Sequence, residues 1–153
     1  MNLLPIEIDE SLNKRFWNEP ECIEVLKAFE KFYQKVGFEK PWIGYFVTDQ
    51  DNNILGCCGY KGRPKNGMIE LSYGTFKKYE GKGIGIQICR LMVELSLKTD
   101  PAIRITARTM PDNLGSIGIL KRNGFEFLGT VENEEDGEVL EWEFKGNEAG
   151  RKI

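Results

Sequence analysis

Tyr79–Leu97 reads YEGKGIGIQICRLMVELSL, with three glycines at alternate positions, Gly81, Gly83 and Gly85, running straight into an apolar helical pattern. Ile84, Ile88, Leu91, Met92 and Leu95 line one face of a helix spanning about Gly83 to Thr99. Ile86, Cys89, Val93 and Leu97 populate much of the rest, so this helix reads as largely buried. Glycine at a helix start serves either a sharp turn or the close approach of backbone to an anion. The first amides of a helix are unpaired and carry partial positive charge, so Gly81, Lys82, Gly83, Ile84, Gly85 and Ile86 can hold a pyrophosphate through backbone N–H groups alone. A tight strand-to-helix turn with no ligand is the other reading. A Walker loop needs G-x-x-x-x-G-K-[ST], and Gly81-Lys82 is followed by Gly83. A dinucleotide fingerprint, G-x-G-x-x-G, places Ile86 or Ile88 at its third glycine. Both motifs fail.

Outward from the loop, Met68–Phe76 (MIELSYGTF) alternates as a strand, with Ile69, Leu71 and Tyr73 on one face and Glu70, Ser72 and Gly74 on the other. Trp42–Asp49 and Ile54–Gly62 read as two further strands joined by the DQDNN turn in a hairpin. Pro20–Val36 has helical spacing at Ile23, Leu26, Phe29, Phe32, Tyr33 and Val36, with Pro20 in the first turn and Gly37 as a stop. Downstream come a strand at Ala102–Met110 and a short helix at Asn113–Asn123, with Asn113 as N-cap and Gly124 as stop. FEFLGTVEN and EVLEWEFKG form a last hairpin around Asp136-Gly137, and NEAGRKI reads as a frayed end. The order is a helical start, three antiparallel strands, helix, strand, helix and hairpin. It predicts an α/β fold of the α+β kind, with a mostly antiparallel mixed sheet flanked by helices rather than a doubly wound one.

The 153 residues suit a single domain, 1–153, and 41% apolar with 29% charged residues is ordinary for a globular chain. A net charge of −3 argues against a nucleic-acid partner. Histidine is absent and the four cysteines include no C-x-x-C pair, which argues against zinc and excludes His-dependent triads, so no metal is expected. Cys22, Cys57, Cys58 and Cys89 read as reduced, mostly buried thiols, with Cys57 and Cys58 on opposite strand faces. MNLLPIEIDESL has no signal-peptide pattern and no stretch approaches about 18 apolar residues, so no membrane partner and a cytoplasmic location are expected.

The order of elements, the segment Glu80-Gly81-Lys82-Gly83-Ile84-Gly85 and the segment NLGSIGILKRNGF together resemble the GNAT superfamily of acyl-CoA-dependent N-acyltransferases. The family loop is Q/R-x-x-G-x-G/A, with Glu80 here at its first position. The second segment is similar to N-x-x-S-x-x-x-L-x-K-x-G-F of the branch that acetylates ribosomal-protein N-termini. Asn113, Ser116, Leu120, Arg122, Gly124 and Phe125 fall at those places. The resemblance covers about Trp42 to Lys145. It implies acetyl-CoA as cosubstrate, a primary amine (protein N-terminus or small molecule) as acceptor, direct attack in a ternary complex, and a monomer or homodimer. A non-catalytic acyl-CoA sensor on the same fold stands as the alternative.

What the resemblance implies for single residues follows its motifs. Glu70 holds the place of a catalytic base, on the face opposite Leu71 and Tyr73. Tyr73, Gly74 and Thr75 lend strand backbone to the pantetheine arm where the central strand pair splays, with a bulge expected at Gly74. Asn113 caps its helix and bonds the cofactor. Many family members place an acidic Tyr where Leu120 stands. Ser116 is expected to donate to the sulfur in its place. Lys82, Lys121 and Arg122 are candidates for phosphate contacts. Phe16, Trp17 and Trp42, with Arg15, are candidates for shaping the acceptor site, or core aromatics. The acidic turn Glu132–Glu138 is either a solvated tip or an attractor of cationic acceptors.

Overall fold

The computed structural model describes residues 1–146; the NEAGRKI stretch, expected to fray, lies outside the described residues. Seven strands form one sheet in the order β1-β2-β3-β4-β5-β7-β6. They are β1 Asn2–Pro5, β2 Tyr45–Thr48, β3 Ile54–Tyr60, β4 Met68–Thr75, β5 Arg104–Thr109, β6 Phe125–Asn133 and β7 Gly137–Phe144. Three helices flank them: α1 Pro20–Val36, α2 Ile84–Thr99 and α3 Leu114–Arg122. Every neighbouring pair is antiparallel except β4 and β5, which run parallel.

Local chemistry sets the helix limits. α1 has Pro20 in its first turn and stops at Gly37, whose φ of 91° suits glycine and whose N–H bonds the Tyr33 carbonyl. The Asn113 side chain caps α3 by accepting from the Ser116 N–H at 3.1 Å. α2 turns Gly85, Ile88, Cys89, Met92, Val93 and Ser96 into the core. Leu91 and Leu95, expected on that face, are only partly buried. Each fully buried aliphatic of this stripe contributes about 1.5–3 kcal/mol. The Tyr60 hydroxyl, within 2.9 Å of Ser96 Oγ and 3.1 Å of the Met92 carbonyl, ties β3 to α2. On the other sheet face Phe29 of α1 lies on Gly44 and Gly59; a Cβ at Gly59 would stand 3.0 Å from its ring. All four cysteines are free; Cys22, Cys58 and Cys89 are buried and Cys57 is partly buried. Burial raises the Cys89 thiol to about 12 and the Cys57 thiol to about 11, so both stay protonated at neutral pH.

Three expectations are corrected. The N-terminus opens with a strand, β1, paired to β2 from Asn2↔Thr48 to Pro5↔Tyr45. Four residues ending in proline give no readable alternation, and β2 supplies the partner. The helical start at Pro20–Val36 holds as α1, and a short 3-10 segment, Glu10–Phe16, capped by Asp9, precedes it. β2 begins at Tyr45 rather than Trp42, because Trp42 and Ile43 turn back to bond the Glu39 and Pro41 carbonyls. No bulge occurs at Gly74: the β3–β4 register runs unbroken from Gly56↔Thr75 to Tyr60↔Leu71.

β5 and β7 are joined by an ion pair between the buried Glu143 and the exposed Arg104. Arg104 grips Glu143 with two bonds, 3.0 and 2.6 Å, and Lys145 adds a third at 3.1 Å; Glu143 is 3% exposed. The Arg104 bond holds the Glu143 carboxyl below its ordinary value of 4.5, outweighing desolvation. Its stabilising share is therefore present above 4.5 and lost as pH falls through the lowered folded value. Arg104→Ala is expected to lower stability at neutral pH and to flatten the loss of stability on acidification. Urea melts of both proteins across that range measure this.

Candidate functional site

The β4–β5 pairing consists of Met68↔Arg104, Ile69↔Ile105 and Glu70↔Thr106, and then ends. Beyond Glu70, β4 pairs only with β3, and β5 from Thr106 onward pairs with β7. The two strands therefore splay, and the β5-facing edge of Leu71–Thr75 carries no strand partner. This is the expected splayed central pair.

A cleft of about 590 Å³ continues from that gap. Tyr73, Gly74 and Thr75 line one wall, Gly81, Gly83, Ile84, Gly85 and Ile86 a second, and Asn113, Gly115, Ser116 and Ile119 of the α3 region a third. The glycines do different work. Gly81 and Gly83 have φ of 80° and 76°, the left-handed region, and a Cβ at either would meet nothing within 4 Å. Gly85 is a packing glycine: a Cβ there would stand 2.6 Å from Ile119 Cδ1. Gly83 is the N-cap of α2 and has no side chain to cap with, so the first amides of α2 are left for another acceptor. Open amides, glycines with free space above them and an unpartnered strand edge in one cleft fit the diphosphate and amide-bearing arm of coenzyme A.

Two residues predicted for the site, Lys82 and Glu70, are not among those that line the cleft. The Lys82 ammonium sits 6.0 Å from the Tyr79 ring and does not line the cleft. Glu70 marks the last register pair before the splay, on the sheet face opposite Tyr73. Arg108 of β5 lies between two carboxylates, with Nε 3.9 Å from Glu70 and Nη2 3.3 Å from Glu141 of β7. Burial raises the Glu70 carboxyl above its ordinary value; Arg108 and Lys61 oppose the rise and Glu141 adds to it. Sequence reasoning missed Arg108, Glu141 and Lys61, although alternation along RITART sets Arg104, Thr106 and Arg108 on one face. It also missed Tyr79 as a lining residue, and it weighed Glu80 only as a loop substitution; the structure puts Glu80 and Arg122 on the same cleft.

On the cleft side, the Tyr73 hydroxyl is 3.2 Å from Ser116 Oγ and 3.4 Å from the Ser116 carbonyl. Leu120 is fully buried and presents no donor. Phe16 and Trp42 belong to the core, with ring centroids 4.3 Å from Phe46 in a tilted contact and 5.0 Å from Tyr60 edge-on, while Trp17 is exposed. Among the described residues no cluster of three metal-ligating side chains occurs, and no helix is long and apolar enough to cross a membrane.

A seven-stranded mixed sheet splayed at its one parallel pair, with a glycine-started helix beneath the gap, defines an acyltransferase fold. Residues 6–126 match the acetyltransferase (GNAT) domain family, and the chain belongs to that family. It is 30% identical over 128 residues to the uncharacterized N-acetyltransferase YjdG of Bacillus subtilis, covering 82% of this chain and 73% of that protein. Its fold is similar to an aminoglycoside acetyltransferase, AAC(6')-Ib, in complex with coenzyme A, at TM-score 0.67 and 20% identity over 99% of this chain and 96% of the other. It is also similar to a ribosomal-protein-S5-alanine acetyltransferase from Vibrio fischeri, at TM-score 0.63 and 20% identity over 84% and 73%.

Proposed function

We propose that the chain moves the acetyl group of acetyl-CoA to a primary amine by direct attack, with Glu70 as the base. The observation that carries this reading is the end of β4–β5 pairing at Glu70, which sets a half-buried carboxylate at the mouth of a gap that opens into the amide-lined cleft. The loop and first α2 amides from Gly81 to Ile86 take the diphosphate, and the free edge of Tyr73, Gly74 and Thr75 takes the amides of the arm. Asn113 lies on the same cleft, within reach of the arm. The acceptor enters from the Glu70 face, loses its proton to that carboxylate, and attacks the thioester carbonyl from the opposite side of the sheet to the arm. The two structures of similar fold are named for an aminoglycoside and for a ribosomal protein, which supports screening both small amines and protein N-termini as acceptors.

Calorimetric titration with acetyl-CoA, followed by an acetylation screen over N-terminal peptides, polyamines and aminoglycosides, tests the proposal. Micromolar binding and turnover of one class support it; absence of binding at millimolar acetyl-CoA removes it.

Arg108 supplies a pH test of the base. Glu70 works ionised, so activity rises as pH climbs through its raised value. Without the Arg108 charge, burial and Glu141 act on Glu70 with only Lys61 opposing. The acidic limb of kcat/KM in Arg108→Gln is expected to move to higher pH. An unmoved limb would mean another group carries it.

A further inference from the structure

We infer that Tyr73 is a positioning residue for the departing thiolate: its phenol holds Ser116 Oγ so that the serine proton points at the sulfur. The inference rests on the acetyl-CoA reading above and names how the site handles the leaving group, a task that buried Leu120 leaves open.

Three observations carry it. The Tyr73 oxygen stands 3.2 Å from Ser116 Oγ and 3.4 Å from the carbonyl of the same residue, so one phenol meets both oxygens of Ser116. Both side chains line the cleft together with the free edge of β4. Ser116 lies in the first turn of the nine-residue α3, three residues past its cap Asn113. A serine deep in a helix turns its hydroxyl back to the carbonyl four residues earlier. For Ser116 that residue is Asp112, outside the helix, so its hydroxyl has no such partner and is open to outside direction.

The phenol has one proton for two acceptors, Ser116 Oγ at 3.2 Å and the Ser116 carbonyl at the longer 3.4 Å. A phenol is a better donor and a poorer acceptor than an alkyl hydroxyl, so we assign the shorter contact as donation by Tyr73, which leaves the serine proton to point away. Burial raises the phenol further above its ordinary value of 10, outweighing the opposing Ser116 bond, so Tyr73 stays protonated throughout the working range. For the same reason Tyr73 is no proton source. An alkyl thiolate has a conjugate pKa near 8.5, too weak a base to strip a phenol held above 10.

The step is therefore hydrogen-bond stabilisation. As the tetrahedral adduct collapses, the carbon–sulfur bond breaks and its electron pair stays on sulfur. The Ser116 hydroxyl donates to that sulfur while keeping its proton, and Tyr73 keeps its own. Glu70 passes the ammonium proton to water before attack and takes the second proton from the adduct nitrogen as the adduct collapses to the neutral amide, and the thiolate takes its proton from water after release. The positive end of α3 at Ser116 favours the same charge.

The test reads the bound product. Free coenzyme A is titrated by the ultraviolet absorbance of its thiolate, alone and bound to wild type, Tyr73→Phe and Ser116→Ala. Wild type is expected to lower the thiol pKa by about one unit, a tenfold gain in thiolate. Each variant should return most of that shift, and kcat should fall with little change in acetyl-CoA affinity. Tyr73→Phe keeps the ring in place, and Ser116→Ala stands as an independent variant should the first fold poorly. An equal thiol pKa in wild type and both variants overturns the inference. A shift lost in Ser116→Ala but kept in Tyr73→Phe overturns the part given to Tyr73. Failure of coenzyme A to bind at all overturns the acetyl-CoA reading instead, so the two failures are distinct.

Discussion

Replacing Glu70 by glutamine is expected to lower kcat by about 10²–10⁴-fold while leaving acetyl-CoA affinity within about twofold. Alkyl amines are protonated at neutral pH, and the attacking lone pair appears only when a base takes the proton. Glutamine keeps the shape of Glu70 and cannot accept that proton as a base. Glu70 does not line the cleft, so removing its charge leaves the diphosphate and arm contacts in place. The same variant should be more stable than the wild type. A carboxyl whose folded value is raised contributes stability that is present below its unfolded value and lost as pH rises through the folded one. At neutral pH the wild type has lost that share and carries a desolvated charge; the glutamine variant carries none. Steady-state kinetics and thermal melts on one preparation check both halves. A variant that loses activity and also melts earlier would mark Glu70 as a structural ion-pair partner of Arg108 rather than a base.

Gly83→Val should raise the Kd for acetyl-CoA at least tenfold. Gly83 sits at φ 76° with open space around it, so the obstacle to a side chain is conformational rather than a clash. An L-residue in this region costs about 1–2 kcal/mol, and a β-branched one is worse. The loop escapes by turning its peptide planes, which takes the α2 amides off their common aim into the cleft. Gly67 provides the control. It has φ 74°, equally open surroundings and a place in the turn before β4, away from the cleft. Gly67→Val should match the loss of thermal stability and leave acetyl-CoA binding untouched. Equal affinity in Gly83→Val and wild type would show that the loop glycines serve the turn alone.

Most of the architecture is legible in local pattern. The limits of α1 coincide with those read from Pro20, Gly37 and the apolar spacing between them, and the Asn113 cap and the Asp136-Gly137 hairpin sit where their side-chain chemistry puts them. The glycine loop was legible as a candidate anion seat because uncapped amides and left-handed glycines are local properties. It was not legible that Gly85 differs from its neighbours. That depends on Ile119 of α3, brought against it only by packing.

The amino-acid sequence by itself determined the elements from α1 onward, their order and the family, because helical and strand periodicity, caps and turns are written within a few residues. Tertiary structure alone decided which distant residues meet. β1 exists because β2 offers it an edge. The splay begins after Glu70 because β4 changes partner from β5 to β3 at that point, a matter of register between strands. Arg108 stands between Glu70 and Glu141, and Tyr73 meets Ser116 across 43 positions of chain. Contacts of that span are set by how sheet and helices pack together, and no local pattern carries them.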